Sequence, residues 1–457
     1  MHQAKIIKKL IDCETKFDFF NLYIDEIQIY PLIRMGIFYE ILKKCNIYEP
    51  QPMSSSQYSF KNILIFLKKL INNFKISKIK NKQIMIIEHP RRLDERNDDI
   101  YTSFLYDIFY DKTLTIKHPL YGSIMPMDQN KYDCFYFESF LIKKKILKII
   151  YSKKKISYFA NKISKVINNE IDNNNDYYNF VEDLLLDKIL SYKLARSFLD
   201  KYDLKCLIVV NGYGFNHFVL AAKQLGIKVI ELQHGNIYDT HLGYHYPNSK
   251  SGSIKSFPDY ILTFGEFWNN QAQFPIAKNY IIDNGFYFFE QNFINKKRNS
   301  ISEKNKILII SQHNISKELK KLTEELAKKL IEYQFIFKPH PKENLNDLKY
   351  FGNNNDIKNI SVSQKSLYEL YPQVDYQIGV FSTGIYEGLG FGVKTIIYKI
   401  NGWENVYSLI GNKGVVFIEN SQQIIEIIRK KTIKDPEGNK FFSKNVFNNH
   451  KNFFKSL

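Results

Sequence analysis

The feature that most constrains this chain is an alternation that recurs along most of its length. Short, continuously apolar runs are each followed by a loop and then by a segment of helical period. The first set is QIMIIEH (83–89), TLTIK (113–117), YDCFYF (132–137), KCLIVVN (205–211), IKVIELQ (227–233), DYILTF (259–264) and NYIIDNG (279–285). The alternation restarts with greater regularity in ILIIS (307–311), QFIFK (334–338), IKNISV (357–362), DYQIGV (375–380), KTIIYK (394–399) and GVVFI (414–418). A strand that is apolar on both faces must be covered on both faces, and interleaved helices supply the cover. The pattern therefore predicts α/β architecture with doubly wound, Rossmann-like parallel sheets. The polar, aperiodic stretch 290–306 is the natural linker. The expected organisation is a helical N-terminal extension over 1–80 and a first α/β domain over 81–290 with a basic helical insertion at about 138–200. A second α/β domain over 301–431 and a Phe-rich terminal helix or arm over 432–457 complete it.

A length of 457 residues, 44% of them hydrophobic, fits two or three folded domains rather than a disordered chain. The cysteines Cys13, Cys45, Cys134 and Cys206 are scattered with no CxxC pair, which argues against a disulfide framework or a zinc knuckle and for a reducing, cytoplasmic setting. The N-terminus has no uninterrupted apolar core of a signal peptide, and no apolar run approaches the ~18–20 residues of a membrane span. The net charge of +18 accompanies a bias to Lys, Asn and Ile along the whole chain, so charge alone is not a specific signal. It is densest over 140–167, where Ile142, Ile146, Ile149, Ile150, Ile156, Phe159, Ile163 and Val166 fall near helical spacing. Such a segment is either a surface helix with its lysines in water or a peripheral contact with the anionic inner face of the cytoplasmic membrane.

In open parallel sheets ligands bind where strands run out into loops, so the strand exits carry the functional reading. The exit ISQHNIS places Gln312 and His313 in a turn. The exit FKPHPKE holds His340 between two prolines that fix the backbone, with Lys338 and Lys342 beside it, an arrangement suited to a phosphate. In GVFSTGIYEGLGFG, Ser382, Thr383 and Gly384 enter a helix whose free N–H groups can hold an anion, and Glu387 lies on the same face one turn in. Gly388, Gly390 and Gly392 imply close packing or a ligand near the backbone. In the first domain, IIEHPRRLDERND brings Glu88, His89, Arg91, Arg92, Asp94 and Glu95 to one exit. The G-x-G of VVNGYGFNH lacks the rest of a dinucleotide fingerprint, so no NAD or FAD site is assigned.

The stretch VIELQHGNIYDTHLGYHYP (229–247) carries three of the ten histidines. His241 and His245 are four apart, but Gly243 and Pro247 argue against a helix there, and neither a Cys nor an acidic cluster joins them, so no metal site is expected. His234 follows an apolar strand directly and sits at its exit.

Three motifs in order, LQHG, KPHP and S-T-G-x-x-E ahead of G-V-K-T-I, resemble the bacterial surface-polysaccharide glycosyltransferases of GT-B fold. The groups concerned are capsule polysaccharide synthesis proteins including Kdo transferases, and CDP-glycerol glycerophosphotransferases; sialyltransferases with a His-Pro motif are related in layout. The resemblance covers roughly residues 205–420 and leaves out 1–80 and the 140–200 insertion. It implies two Rossmann-like domains facing a cleft, with His340 and Lys338 on the donor phosphate, Ser382 and Thr383 also on phosphate, and Glu387 on the nucleotide ribose. Gln312, His313 and Gly384 join the donor side by position. His234 would face the acceptor or the leaving group. The implied activity is metal-independent transfer from a nucleotide-sugar donor (CMP-, CDP- or UDP-linked) to a glycan or lipid-linked acceptor, with no resident cofactor. Direct displacement needs a general base, for which the candidates are His234, Asp239, His241, Glu88 and Asp94, in that order. Two other readings stand beside it. A nucleotide-sugar 2-epimerase shares the two-domain layout and needs no acceptor. A polyanion-binding protein would rest on the charge, but no nucleic-acid-binding motif is present and no nucleic-acid partner is expected.

Overall fold

The computed structural model describes residues 3–47, 60–76, 78–79, 81–92, 99–117, 133–295, 305–348, 351 and 357–457. The chain forms two compact units, one of residues 1–263 and 272–282, the other of 264–271 and 283–457.

Unit 1 opens with helix α1 (Gln3–Lys16), a two-stranded ribbon of β1 (Tyr23–Ile24) and β2 (Ile27–Gln28), and helices α2 (Tyr30–Lys44) and α3 (Phe60–Ile76). The ribbon interrupts what reads in sequence as a wholly helical segment. Then follow β3 (Ile84–Ile87), α4 (Leu105–Phe109), β4 (Thr113–Lys117) and β5 (Cys134–Tyr136). Next come α5 (Glu138–Ile150), α6 (Lys154–Val166), α7 (Tyr178–Leu199), β6 (Cys206–Val209), α8 (Asn216–Gln224), β7 (Lys228–Leu232), β8 (Tyr260–Leu262) and β9 (Ile281–Ile282). Strands β3 to β9 form a seven-stranded sheet in the order β5-β4-β3-β6-β7-β8-β9, every pairing parallel. The order reverses direction between β3 and β6, which makes that pair the switch point of the sheet.

Residues 3–47 and the 138–200 insertion are not appendages. Ile6, Leu10, Ile33 and Ile37 from the first helices share one core with Met85 and Ile87 of the sheet and with Val181, Leu185 and Ile189 of α7. The basic stretch is two helices, broken at 151–153 by the extended backbone of Tyr151.

Unit 2 contains α9 (Tyr287–Asn295), β10 (Lys306–Ile310), α10 (Ser316–Lys329), β11 (Gln334–Lys338), β12 (Ile360–Val362), α11 (Leu367–Leu370) and β13 (Tyr376–Gly379). It continues with α12 (Thr383–Gly390), β14 (Lys394–Tyr398), β15 (Val415–Ile418), α13 (Ser421–Lys430), α14 (Gly438–Phe441) and α15 (Val446–Lys455). Its six strands are all parallel in the order β12-β11-β10-β13-β14-β15, with the switch between β10 and β13.

The division between units falls upstream of the linker expected at 290–306, and the reason is aromatic. Residues 264–271 and 283–295 pack on the C-terminal segment. Trp268 donates from Nε1 to the Phe441 carbonyl at 2.9 Å, Phe264 stacks on Phe442, and Phe289 stacks on Phe442 at a ring distance of 3.9 Å. The 432–457 segment, which carries α14 and α15, is accordingly a built part of unit 2. Ring burial of this kind outweighs the polarity that marks 290–306 in sequence.

Candidate functional sites

In unit 2 the exits of β11, β10 and β13 are neighbours at the switch point, and they carry Lys338 and His340, Gln312 and His313, and Ser382 to Glu387. The backbone N–H of His340 donates to Glu343 Oε1 at 2.7 Å, and Glu343 Oε2 accepts from Ser316 at the start of α10, so one carboxylate ties this loop to the β10 exit. His340 Nδ1 accepts the N–H of Lys342 at 3.2 Å. A ring nitrogen that accepts carries no proton, so His340 is neutral and presents N–H from Nε2. Burial, then Lys342 nearby, lowers its pKa. Lys338 is half-buried, its pKa also lowered by burial, and its Nζ reaches the Gln364 carbonyl at 3.2 Å.

Ser382 is the N-cap of α12, its Oγ accepting from the N–H of Gly384 at 3.1 Å. Thr383 is exposed at the first turn, and Glu387 is buried near the Tyr371 phenol. Tyr371 in turn donates to the Gly384 carbonyl at 2.7 Å. Two of the three glycines are packing residues. A Cβ at Gly388 would lie 2.2 Å from Gln377 Oε1, and one at Gly390 would meet Phe289 and Phe442. Gly392 has φ +80, a left-handed turn after the helix.

In unit 1 the exits of β3, β6 and β7 bring together His89, Tyr213, His234, His241 and Tyr244. Ring centroids are 5.5 Å apart for His89 and His234, 5.8 Å for Tyr213 and His234, and 4.9 Å for His241 and Tyr244. The buried Glu231 of β7 accepts at Oε1 from the Tyr244 hydroxyl at 2.8 Å. Gly212 supplies a further backbone N–H to that carboxylate, and a Cβ there would sit 2.3 Å from Glu231 Oε2. Only glycine fits.

With its proton given to Glu231, the Tyr244 oxygen can only accept from His234 Nδ1, 3.3 Å away. His234 Nε2 is then left as the basic nitrogen, 3.3 Å from the Tyr213 hydroxyl. Burial, then the neighbouring His89 and His241, pushes the His234 pKa down to about 3. Burial raises Glu231 to about 7. His241 has the opposite tautomer, since its Nδ1 accepts the Gly243 N–H at 3.1 Å; burial lowers its pKa to about 4. His89 shares that arrangement, with Nδ1 accepting from Arg91 N–H at 3.1 Å.

The other expected bases are placed differently. Glu88 is buried, with Oε2 2.5 Å from Arg92 and Oε1 accepting from Tyr106 at 2.6 Å, so its carboxylate is engaged in an ion pair. Asp239 is half-buried in the same loop and acts on His245 through its charge. His245 Nδ1 accepts from the Gln273 N–H at 3.2 Å. Asp94 lies outside the described residues.

Four contributors escape a reading by motif: Glu231, Asp99, Arg34 and Glu14. Asp99 accepts from His89 N–H, Tyr101 N–H and the Thr102 hydroxyl, which shapes the loop carrying His89. Tyr101 then donates to the His234 carbonyl at 2.8 Å. Arg34 of α2, fully buried, is paired through two nitrogens with Glu14 of α1 and donates to the carbonyls of Leu242 and His245. The N-terminal helices thereby hold the 241–246 loop. Among the described residues no His, Cys, Asp and Glu group could hold a metal ion, and no helix is long and apolar enough to cross a membrane.

Two parallel-sheet α/β units with chemistry gathered at both switch points define a protein of the GT-B fold class. The fold is shared with UDP-GlcNAc 2-epimerase of Neisseria meningitidis bound to UDP-GlcNAc: TM-score 0.50 and 14% identity, over 82% of this chain and 99% of that one. The wall teichoic acid polymerase TagF aligns over 88% of this chain and 97% of its own at TM-score 0.43 and 11% identity. In sequence, an uncharacterized protein of Methanocaldococcus jannaschii is 28% identical over 341 residues, 69% of this chain. The chain spans 59% of the length of that relative. No family model matches the sequence.

Proposed function

We propose that the protein is a glycosyltransferase or polyol-phosphate transferase of GT-B type, moving a nucleotide-activated group onto a surface-glycan or lipid-linked acceptor hydroxyl. The observation that carries this reading is the unit 2 cluster. The exits of β11 and β13, on either side of β10, present Lys338, the Nε2–H of His340 and the start of α12, all donors suited to an anion. Glu387 is the candidate for the nucleotide ribose. The donor's phosphates bind there, and the acceptor binds in unit 1 at His234.

In the step proposed, His234 Nε2 takes the acceptor's hydroxyl proton. The oxygen forms a bond to the donor's transferred carbon or phosphorus. The bond to the departing phosphate oxygen breaks, and the charge that develops there is met by Lys338, His340 and the α12 N-terminus. His234 ranks first among the bases because its hydrogen bonds leave Nε2 unprotonated, whereas His241 Nδ1 and Glu88 are engaged.

A nucleotide-sugar 2-epimerase is the second reading, favoured by the fold shared with the Neisseria enzyme. A panel of UDP-, GDP-, CMP- and CDP-linked donors, assayed with and without a glycan or lipid-linked acceptor, separates the two. Nucleotide release that depends on acceptor supports transfer. Inversion at C2 of a UDP-sugar with no acceptor present replaces it with epimerisation.

A further inference from the structure

The helical period over 142–163 continues through the break at 151–153, yet its two halves face opposite ways. On α6, Ile156, Ala160 and Ile163 are buried. On α5, Ile142, Ile146, Ile149 and Ile150 are exposed, with Ile146 at 58%, Ile149 at 84% and Ile150 at 75% of their full accessibility. These four lie within one stripe at spacings of three and four, while Phe140, Lys144, Leu147 and Lys148 occupy the side turned to the protein. Helix α3, which joins α5 through Lys69–Glu138 and Asn73–Ser139, exposes a second stripe of Leu64, Leu67, Ile71 and Phe74. Apolar stripes exposed on two adjoining helices are not the scattered exposure usual on a soluble surface.

The charge beside the stripes has one sign. Lys143 and Lys145 flank the α5 stripe on either side, and Lys68 and Lys75 are exposed on α3. Helix α3 contains no acidic residue, and the single acid of α5, Glu138, is paired with Lys69. We propose that this face of unit 1 docks on an anionic lipid surface, the isoleucines entering the acyl boundary and the lysines reaching the headgroups. A second copy of the chain is a poorer occupant, because a face-to-face pair would set these lysines against their own counterparts.

The inference is independent of the chemistry proposed above, and so is its test. The full chain is sedimented with phosphatidylcholine vesicles and with vesicles containing about one third phosphatidylglycerol. It is expected to sediment with the anionic vesicles alone and to release as salt rises. Ile146→Glu/Ile149→Glu is expected to lower the partition about tenfold or more, and Lys143→Ala/Lys145→Ala about fivefold per lysine. Circular dichroism verifies that both surface variants stay folded. The proposal is overturned if the unmodified chain ignores anionic vesicles, or if the isoleucine variant binds them as well. It is equally overturned if light scattering shows a lipid-free oligomer that the isoleucine variant dissociates, which would make a second copy the occupant.

Discussion

The hydrogen bonds around His234 have a polarity, and that polarity decides which nitrogen is basic. Glu231 as a carboxylate compels Tyr244 to donate to it, which leaves Tyr244 to accept from Nδ1. Once Glu231 is protonated, the acid can donate to Tyr244, whose proton is then free to turn to Nδ1 and drive the histidine proton to Nε2. Burial raises Glu231 to about 7 but pushes His234 down to about 3. The acid limb of kcat/KM should therefore lie near pH 7, activity falling as the pH drops through the Glu231 value. In Glu231→Gln the limb should disappear and the plateau drop. A limb unmoved in that variant would assign it to another group. His234 itself is legible in sequence as a histidine at a strand exit. Glu231 is not, because alternate residues of a buried strand face opposite sides and nothing in VIELQ says which partner meets the carboxylate.

At the level of elements, the strands of both sheets are legible as apolar runs, most clearly the central ones, since a strand buried on two faces admits few polar residues. What joins those elements is less so. The buried pair Arg34–Glu14 links α1, α2 and the 241–246 loop across more than two hundred residues, and no local pattern marks it. Arg34→Ala leaves Glu14 buried without its cation, and should cost about 3–5 kcal/mol of unfolding free energy in urea titration. A loss within about 0.5 kcal/mol, the range of an ordinary surface substitution, would contradict the role given to this pair. The α5 stripe shows the converse failure. Periodicity establishes that Ile142, Ile146 and Ile149 share a face, but not that the face points outward, because no Gly or Pro marks the turn at Tyr151 that separates α5 from α6.

For the whole molecule, the proposed reaction divides between the two units: donor phosphate recognition belongs to unit 2 and proton removal from the acceptor to unit 1. The division predicts separable losses. Calorimetric titration with whichever nucleotide donor the panel selects, on the unmodified chain, His340→Ala and His234→Ala, tests it most directly. His340→Ala should weaken donor binding about tenfold or more, as loss of a hydrogen bond to a charged group does. His234→Ala should bind donor within about twofold of the unmodified chain while transfer falls by about 10²-fold or more. Donor affinity unchanged in His340→Ala, or lost in His234→Ala, would contradict the account.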